Sequence, residues 1–548
     1  MSRRFLVFFS VLVLVLMVCT ISGCGSGGSS SNNATPGNST SNGSSSTPAT
    51  SQTPSVPQRS KTVRIANGVR PRTLDPFAYN DGADQITYQI YMDSLIYSNH
   101  DGSPYSPMLA KSWDIDPDGM YWIFYLRDDV DFHNGDHFDA DDVVASIEYL
   151  LTLKDTSALY LTYNPTIESV EKIDQYTVKV NFNVPSPLAG NGFRCMYMSP
   201  ASAFEELGSE EMFRDYHSYG TGPWILTEFI DGQYAYFTKN ENYYNKEYNS
   251  YFDDFYLLHL NEPSSIVAGM LAGDIDAHAQ QSGFDPNLLE MYAGSEDRIQ
   301  IITQPTNSNS IITFQQGPGK PGKDFLLRKA FSMSFDRPLM WATIADGQGI
   351  PATGYWAPNM PGHNPQISPN YVYDPEAAKA ALDESAYSGQ VLDFMGTGTG
   401  NAMNMALAMV DFASKIGINC EYSVVDTMTY NSKRADYNYD IYISGTIMPD
   451  KAPGRTLASL LSDNSRTQND DEILFDLIRK WLSELDDVKR TDYAFQIGNR
   501  ITEVLSPQIA YGHSNANWAV SYGISGIDLY EDGMVNFTWV DWDPTLIP

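Results

Sequence analysis

The sequence predicts a mixed α/β protein of two or three domains, and three features of the chain indicate this class. The chain has 548 residues, which exceeds the size at which one hydrophobic core keeps growing. Residues 220–244 alternate apolar and polar positions around an Asp231-Gly232 turn, a pattern typical of a β-hairpin with a sheet continuing on both sides. Residues 391–425 give the order strand, glycine turn, helix and strand, which predicts a βαβ unit.

Acidic residues outnumber basic ones by a wide margin. The chain has 67 Asp and Glu against 34 Lys and Arg, a net charge of −33, and loss of Arg3 and Arg4 with the first 24 residues would remove two positive charges and give −35. This charge argues against nucleic acid as a partner. Aromatic residues make up 13% of the chain, which suits either a ligand-gripping surface or a tyrosine-rich core.

The N-terminus has the pattern of a signal peptide. Arg3 and Arg4 precede an apolar run at 5–20, which is shorter than the roughly 20 residues that a membrane-spanning helix needs. The run leads to Ile-Ser-Gly and then Cys24, which resembles the bacterial lipobox with Ile in place of the usual Leu. The resemblance implies cleavage before Cys24 and a lipid on its sulfur. A plain secretory signal with an incidental cysteine is the alternative.

Residues 25–60 consist almost wholly of Ser, Gly, Asn, Thr, Pro and Ala, with Val56 as the only large aliphatic residue and Arg59 as the only charge. Such a segment is predicted to be a disordered linker. As a flexible coil it spans roughly 35 Å. Beyond it only Cys195 and Cys420 remain, without Cys-x-x-Cys spacing, so a thioredoxin-like or cysteine-metal site is not predicted. Whether these two cysteines are free or paired stays open.

The folded part is predicted to begin with a strand at 62–66 and a helix around 86–96. Further on, His133 and His137 lie four residues apart beside aspartates, which suggests a metal site only if the segment is helical. Asn134-Gly135 breaks a helix there, so we predict a tight turn instead. Asp139 is then the N-cap of an amphipathic helix, with Asp142 completing a capping box.

Two glycine-rich loops resemble phosphate-binding motifs. Residues 317–323 have the glycine and lysine spacing of a Walker A loop, but Asp324 stands where Ser or Thr binds magnesium, and two prolines remove N–H donors. Residues 396–400 lack the third glycine of a dinucleotide fingerprint. We interpret both as ordinary turns, each before a helix. Catalytic motifs are not found in the folded part, although the paired carboxylates of a glycosidase stay open without coordinates.

Several segments, in order, resemble the family 5 extracellular solute-binding proteins, which serve peptide, dipeptide and nickel importers of the ABC type. The hairpin begins G-T-G-P-W and ends N-x-x-Y-Y. Other matching segments are L-D-P at 74–76, L-A-x-x-W at 109–113, F-H-x-G at 132–135, A-x-D-V at 140–143 and the L-R-K-A-F-S-M-S-F-D-R helix at 327–337.

The resemblance implies a two-lobed periplasmic-binding-protein-like fold of class II, with ligand enclosed between lobes that close by hinge motion. The signal peptide would be 1–24 and the linker 25–60. The implied lobe I comprises residues 61–100, 221–305 and 511–548, with an extra subdomain at 101–220, and lobe II comprises residues 306–510.

The resemblance also implies a function. We expect a monomeric binding protein, not an enzyme, without cofactor or metal, held on the extracytoplasmic face of a bacterial membrane by Cys24. It would capture an oligopeptide or dipeptide and deliver it to the permease subunits of an ABC transporter. A nickel chelate, an opine or a sugar is the alternative ligand, and a secreted hydrolase is the alternative class.

In peptide-binding relatives an Asp that follows a Gly-Trp segment pairs with the α-amino group of the peptide. The corresponding stretch here begins at Gly445 and lacks the Trp, with Asp450 near the position of the acid or in a surface loop. A strand edge at this stretch would hold the peptide main chain. The candidate ligand contacts are Asn80, Asp81, Tyr355, Trp356, Gly445, Thr446, Met448, Asp450 and Trp518.

Overall fold

The structure is a computed structural model. It describes residues 59–548 apart from 69, 79–81, 99–104, 158, 161–163, 165, 209–212, 214–218, 281–283, 285, 399, 447–466 and 531–532. The predicted signal peptide and the candidates Cys24, Asn80, Asp81, Met448 and Asp450 lie outside the described residues. Thr446 is described by its backbone alone.

The helices and strands of the first half of the chain alternate irregularly. The helices are α1 (Gly82–Tyr91), α2 (Ala140–Thr152), α3 (Gly190–Phe193), α4 (Ala201–Leu207) and α5 (Pro263–Ala272). The strands are β1 (Thr62–Asn67), β2 (Ile96–Ser98), β3 (Tyr105–Pro107), β4 (Ala110–Ile115), β5 (Tyr121–Leu126), β6 (Ile167–Asp174), β7 (Thr177–Phe182), β8 (Trp224–Ile230), β9 (Tyr234–Lys239), β10 (Asp254–His259) and β11 (Ala277–His278).

The second half carries two long strands and most of the long helices. The strands are β12 (Ile299–Phe314), β13 (Gly349–Pro351), β14 (Leu392–Gly396), β15 (Cys420–Val424), β16 (Ile441–Thr446), β17 (Gln508–Ser521), β18 (Ile524–Ser525), β19 (Asp528–Leu529), β20 (Val535–Asn536) and β21 (Asp541–Trp542). The helices are α6 (Phe325–Ser334), α7 (Arg337–Thr343), α8 (Pro375–Glu384), α9 (Gly400–Ile416), α10 (Thr427–Ala435), α11 (Glu472–Ser483) and α12 (Asp487–Val504). In the described part of the chain, no helix is both long and apolar enough to cross a membrane.

One mixed sheet runs through the molecule in the order β15, β14, β16, β12, β17, β11, β1, β10, β9, β8, with β13 paired to β17. The predicted hairpin is β8 and β9, and the βαβ unit is β14, α9 and β15. The expectation that the sheet continues on both sides of the hairpin is wrong, because β8 is an edge strand. A separate four-stranded sheet has the order β4, β5, β7, β6.

Three large apolar clusters fill the molecule. One lies beneath β1, β8, β9 and β10, and we call the part around it the first lobe. The second surrounds β14, β16 and α6, and we call that part the second lobe. The third lies beneath the four-stranded sheet and α2. Arg59, from the predicted linker, pairs with Asp276 and lies 4.6 Å from the ring of Trp542, so it belongs to the ordered body.

Two of the sequence motifs, the G-T-G-P-W start of the hairpin and F-H-x-G, meet the end of α1 at one buried junction between the first lobe and the four-stranded sheet. The backbone N–H of Gly222 donates to the carbonyl oxygen of Tyr91 at 3.1 Å, and Thr221 Oγ1 donates to Asp93 Oδ2 at 3.1 Å. The His133 N–H donates to the Gly220 carbonyl at 2.8 Å, and its ring Nε2 lies 2.9 Å from the Gly222 carbonyl. These contacts explain why the motifs occur together.

The junction also corrects the predicted helix at 86–96. Helix α1 ends at Tyr91 because the carbonyl of that residue accepts from Gly222 instead of from a further helical turn. The predicted capping box of α2 is confirmed. Asp139 and Asp142 form the capping box of α2, and Asp324 is the N-cap of α6, accepting from Leu326 N at 2.9 Å.

The arginines of the 327–337 motif are structural. Arg337 is 2% exposed and its guanidinium lies 4.3 and 4.5 Å from the rings of Phe335 and Tyr371. Burial lowers the pKa of Arg337 to about 10. Arg328 donates to four backbone carbonyl oxygens, those of Gly322, Lys323, Val504 and Leu505. These side chains hold the second lobe together, so the motif does not mark a ligand site.

Candidate ligand-binding site

The two longest strands connect the lobes. Strands β12 and β17 pair antiparallel from Ile299 opposite Ser521 to Thr313 opposite Gln508. At one end they pack into the core of the first lobe and at the other into that of the second. The register shifts midway, where residues 306–308 of β12 face Ser514 alone between the pairs Pro305–Asn515 and Asn309–His513. A bulge of this kind is where such a strand pair bends.

The apolar pattern stops at this crossing. We call residues 306–310 of β12 and 513–517 of β17 the polar belt, because Asn, Ser, Thr and His fill nine of these ten positions. Asn307, Asn309, His513 and Asn517 are nonetheless at most 4% exposed. None of the ten side chains carries a permanent charge. The belt is therefore a buried, neutral, hydrogen-bonding surface between two apolar cores.

Among the residues that the structure describes, several groups of the belt have no hydrogen-bond partner, although each of the residues concerned is buried. They are the Oδ1 atoms of Asn307 and Asn309, the Nδ1 atom of His513 and the Nδ2 atom of Asn517. Leaving a buried polar group unpaired costs about 1 to 3 kcal/mol. Folded proteins keep few such groups, and a concentration at one place points to a missing partner. A polar solute in the cleft can supply both donors and acceptors to these four atoms.

The remaining atoms of the belt are held firmly. Asn309 Nδ2 donates to the carbonyl oxygen of Tyr355 at 2.8 Å, and Thr303 Oγ1 donates to Asn517 Oδ1 at 2.8 Å. Thr306 Oγ1 donates to the Ser514 carbonyl at 2.7 Å. Asn309 and Asn517 therefore each have one amide atom that is bonded within the protein and one that is not, so their orientation is set before a ligand arrives.

His513 is neutral at physiological pH. Burial lowers the pKa of His513 to about 4, with the nearby His363 acting in the same direction and a hydrogen bond to the Ser308 backbone opposing it. An uncharged imidazole keeps Nδ1 available as a hydrogen-bonding atom. The belt therefore offers a neutral surface at physiological pH.

Two predicted site residues lie next to the belt. Gly445 pairs with Ser310, and Thr446 pairs with Asn309, at the end of β16. Among the described residues, a Cβ atom on Gly445 would have only the Asn309 carbonyl oxygen near it, at 3.9 Å. The structure thus brings the predicted strand edge to the crossing of β12 and β17.

The aromatic candidates support the site from inside the lobes. Tyr355 and Trp356 belong to the core of the second lobe and Trp518 to that of the first, each at most 2% exposed. Their polar atoms are bonded within the protein, Tyr355 Oη to Gln508 Oε1 at 2.7 Å, Trp356 Nε1 to the Ala494 carbonyl at 2.8 Å and Trp518 Nε1 to the Gln280 carbonyl at 3.0 Å. Direct ligand contact by these three residues stays a prediction.

The first lobe also presents polar groups at the ends of its strands. The Gly68 N–H, directly after β1, donates to Gln280 Oε1 at 3.1 Å, so the loops after β1 and β11 are tied together beside Trp518. Asn67, the last residue of β1, is fully buried, and neither of its amide atoms has a partner within the described ranges of the chain. Ligands of open α/β sheets bind at the carboxyl ends of strands. Asn67 thus extends the series of unpaired groups.

The alternative sites of the sequence do not assemble. His133 is buried in the junction and its pKa falls to about 4 through burial, whereas His137 lies at the surface, 2.8 Å from Asp131. Across the described residues, no group of His, Cys, Asp and Glu is placed to hold a metal. Cys420 is a free thiol, and Cys195 is buried.

Comparison with known proteins identifies the family of the chain. The sequence profile of the bacterial extracellular solute-binding proteins, family 5 (middle part), matches residues 104–468, more than half of the chain. The protein belongs to this family. Its members named below are binding proteins, not enzymes, so the hydrolase alternative is wrong.

Relatives of this family 5 protein share the full architecture at low sequence identity. Heme-binding protein A of Haemophilus influenzae is 24% identical over 76% of this chain and 80% of its own length. Di/tripeptide-binding protein 2 of Pseudomonas aeruginosa is 24% identical over 89% of this chain and 96% of its own length. The crystal structure of NikA from Brucella suis with Fe(III)-EDTA covers 88% of this chain and all of that chain, with a TM-score of 0.78 and 22% identity. The predicted two-lobed fold is confirmed.

The polar belt was not predicted from the sequence. The run T-Q-P-T-N-S-N-S at 303–310 has the composition of a surface loop, and a proline inside it argues against a strand. The only local signal is that this polar run continues directly into the apolar strand 311–314, and that the H-S-N-A-N run at 513–517 interrupts another apolar strand.

Proposed function

We propose that this family 5 protein captures an oligopeptide or dipeptide between its two lobes and delivers it, unchanged, to the permease subunits of an ABC transporter. The observation that carries the proposal is the polar belt, where buried neutral groups with no partner in the described part of the chain lie at the crossing of the strands that join the lobes. Amide groups of a peptide main chain are neutral and supply a donor and an acceptor at each residue, which matches these unpaired atoms.

Peptide binding also suits the position of the end of β16. A strand end beside the belt supports addition of an extended peptide by main-chain hydrogen bonds, a mode of binding that is tolerant of side-chain sequence. Asn80, Asp81 and Met448 stay proposed contacts. A binding protein for di- and tripeptides among the relatives agrees with this ligand class.

A non-peptide solute is the second candidate, and one sequence feature favours it. The Trp expected after Gly445 is absent, since Thr446 stands in its place. Relatives named for heme and for a metal chelate show that the family accommodates other solutes. A nickel chelate, an opine or a sugar belongs to this candidate class.

A thermal-shift screen separates the two candidates. A solute that binds only the folded protein stabilises it by about 2.7 kcal/mol at a concentration of one hundred times Kd. Stabilisation by free-amine peptides supports the first candidate, and stabilisation confined to chelates, opines or sugars supports the second. Failure of every solute in both classes would contradict the proposal.

Asp450 is the proposed partner of the peptide α-ammonium group. A charge-assisted hydrogen bond of this kind is worth about 1.5 to 3 kcal/mol. Asp450→Asn should therefore weaken binding of a free-amine peptide by about tenfold or more while leaving the N-acetylated analogue little changed, as measured by calorimetry. Equal losses for both peptides, or no loss for either, would rule out Asp450 as the anchor.

The lipid anchor on Cys24 is likewise proposed. Cys24→Ser should move the processed protein from the membrane fraction to the soluble extracytoplasmic fraction, because the sequence has no further apolar run of about 18 residues after the signal peptide. Fractionation and immunoblotting measure the change, with Cys195→Ser as the matched control that keeps the anchor. Membrane retention of a processed Cys24→Ser protein would contradict the proposal.

A further inference from the structure

We propose that an apolar contact between the tip of the four-stranded sheet and the second lobe acts as a latch that holds the two lobes closed around a solute. The proposal rests on the function proposed above and adds to it a means of regulating closure. The latch consists of Leu188, the turn at Gly119 and Leu485. It is separate from β12 and β17, so it connects the four-stranded sheet to the second lobe independently of the polar belt.

Leu188 is the first half of the latch. It lies between β7 and α3, in a segment that belongs to the four-stranded sheet by sequence. Its neighbour Ala189 packs against the core beneath that sheet. Leu188 itself packs against the core of the second lobe. Two consecutive residues thus contact two different cores, which makes this segment a bridge between the parts of the molecule.

The turn between β4 and β5 provides the second half. Gly119 has a φ of +71°, and a Cβ atom added there would lie 3.1 Å from Leu485 Cδ2. Leu485 lies between α11 and α12 of the second lobe and is 42% exposed. The turn therefore touches the second lobe with its backbone, in a conformation that glycine adopts readily.

The tip is rigid enough to transmit the contact. Gly119 N donates to the Asp116 carbonyl at 2.8 Å, and Ser186 N donates to the Gly119 carbonyl at 2.8 Å. The second bond ties the β4–β5 turn to the loop that carries Leu188. The two contacts with the second lobe therefore form and separate together.

The energetics suit a reversible contact. Bending at the register shift of β12 and β17 separates the lobes and exposes the two leucines, whereas closing removes part of their apolar surface from water. Contacts present only in the closed state shift the equilibrium toward that state. Partial burial of two side chains shifts the equilibrium modestly toward the closed state. A solute bound in the cleft then shifts it the rest of the way.

Single-molecule FRET on the protein without solute tests the latch. Dyes are placed at exposed Glu171 of β6 and Lys379 of α8 through non-canonical amino acids, so that Cys195 and Cys420 stay intact. We expect Leu188→Ala and Leu485→Ala each to lower the ratio of closed to open molecules by about three- to tenfold. Ile173→Ala on β6 and Leu339→Ala on α7 are matched controls, since these residues are 52% and 49% exposed.

The controls should leave the ratio unchanged. Equal closed fractions in the leucine variants and the controls would overturn the proposal, as would a wild-type protein without any closed fraction. Because the measurement uses no solute, its failure is distinct from failure of the proposed function, which shows itself as wild-type protein that no solute closes or stabilises.

Discussion

Gly220→Ala is expected to destabilise the protein by about 3 kcal/mol or more. A Cβ atom at this position would lie 1.7 Å from the carbonyl oxygen of Tyr91, and both partners are backbone held by hydrogen bonds, so neither can move aside alone. The change would force apart the junction in which the hairpin meets α1. Urea unfolding, followed by tryptophan fluorescence, measures the lost stability as a lower urea concentration at the midpoint of unfolding.

Gly354→Ala is the matched control for this prediction. A Cβ atom there meets Thr502 Oγ1 at 3.5 Å, an ordinary contact, and the midpoint should hardly change. If Gly220→Ala unfolds at the same urea concentration as Gly354→Ala, the close approach at Tyr91 is not required for folding.

Asp93→Asn is expected to make the protein more stable at pH 8 by up to about 4 kcal/mol. Burial raises the pKa of Asp93 to about 7, while hydrogen bonds from Thr221 and Tyr244 and the charge of Arg127 oppose the rise. The folded protein thus holds this proton up to about pH 7 and the unfolded chain only to about pH 4. The stability that Asp93 contributes is therefore complete below about pH 4 and is lost as pH rises through 7.

Urea unfolding of both proteins between pH 4 and pH 8 measures this effect. Asparagine can accept the same hydrogen bond from Thr221 Oγ1 without carrying a charge. The free energy of unfolding of the variant should therefore increase relative to that of the wild type as the pH rises. The comparison isolates Asp93 from Asp142, whose pKa burial also raises, to about 6. A constant difference between the two proteins across this range would show that Asp93 is ionised in the folded state.

Local chemistry made much of the fold predictable. The capping box of α2 needs only Asp139 and Asp142 three residues apart, and the β8–β9 hairpin needs only its Asp231-Gly232 turn and alternating strands. The family motifs could also be read from the sequence, but the structural reason why they occur together could not. His133, Gly220 and Asp93 lie far apart in the chain, and only the folded structure shows that they form one junction.

The features that escaped prediction depend on distant partners. Helix α1 stops at Tyr91 because Gly222, more than a hundred residues later, takes the carbonyl that a further turn would use. The polar belt is buried because β12 pairs with β17, about two hundred residues away. Composition alone assigns such a run to a surface loop. The aromatic candidates Tyr355, Trp356 and Trp518 were chosen for their chemistry, whereas their burial depends on the cores around them.

Native mass spectrometry tests most directly whether the protein binds a solute between its lobes without transforming it. The protein is incubated with the first solute that stabilises it in the thermal-shift screen. The masses of the complex and of the released solute are then measured. We predict one solute per chain, recovered with its mass unchanged, and weaker retention when Asn309 and Asn517 are replaced by Leu, which removes two unpaired amide groups of the polar belt. Recovery of a chemically altered solute, or retention unaffected by both substitutions, would contradict this account.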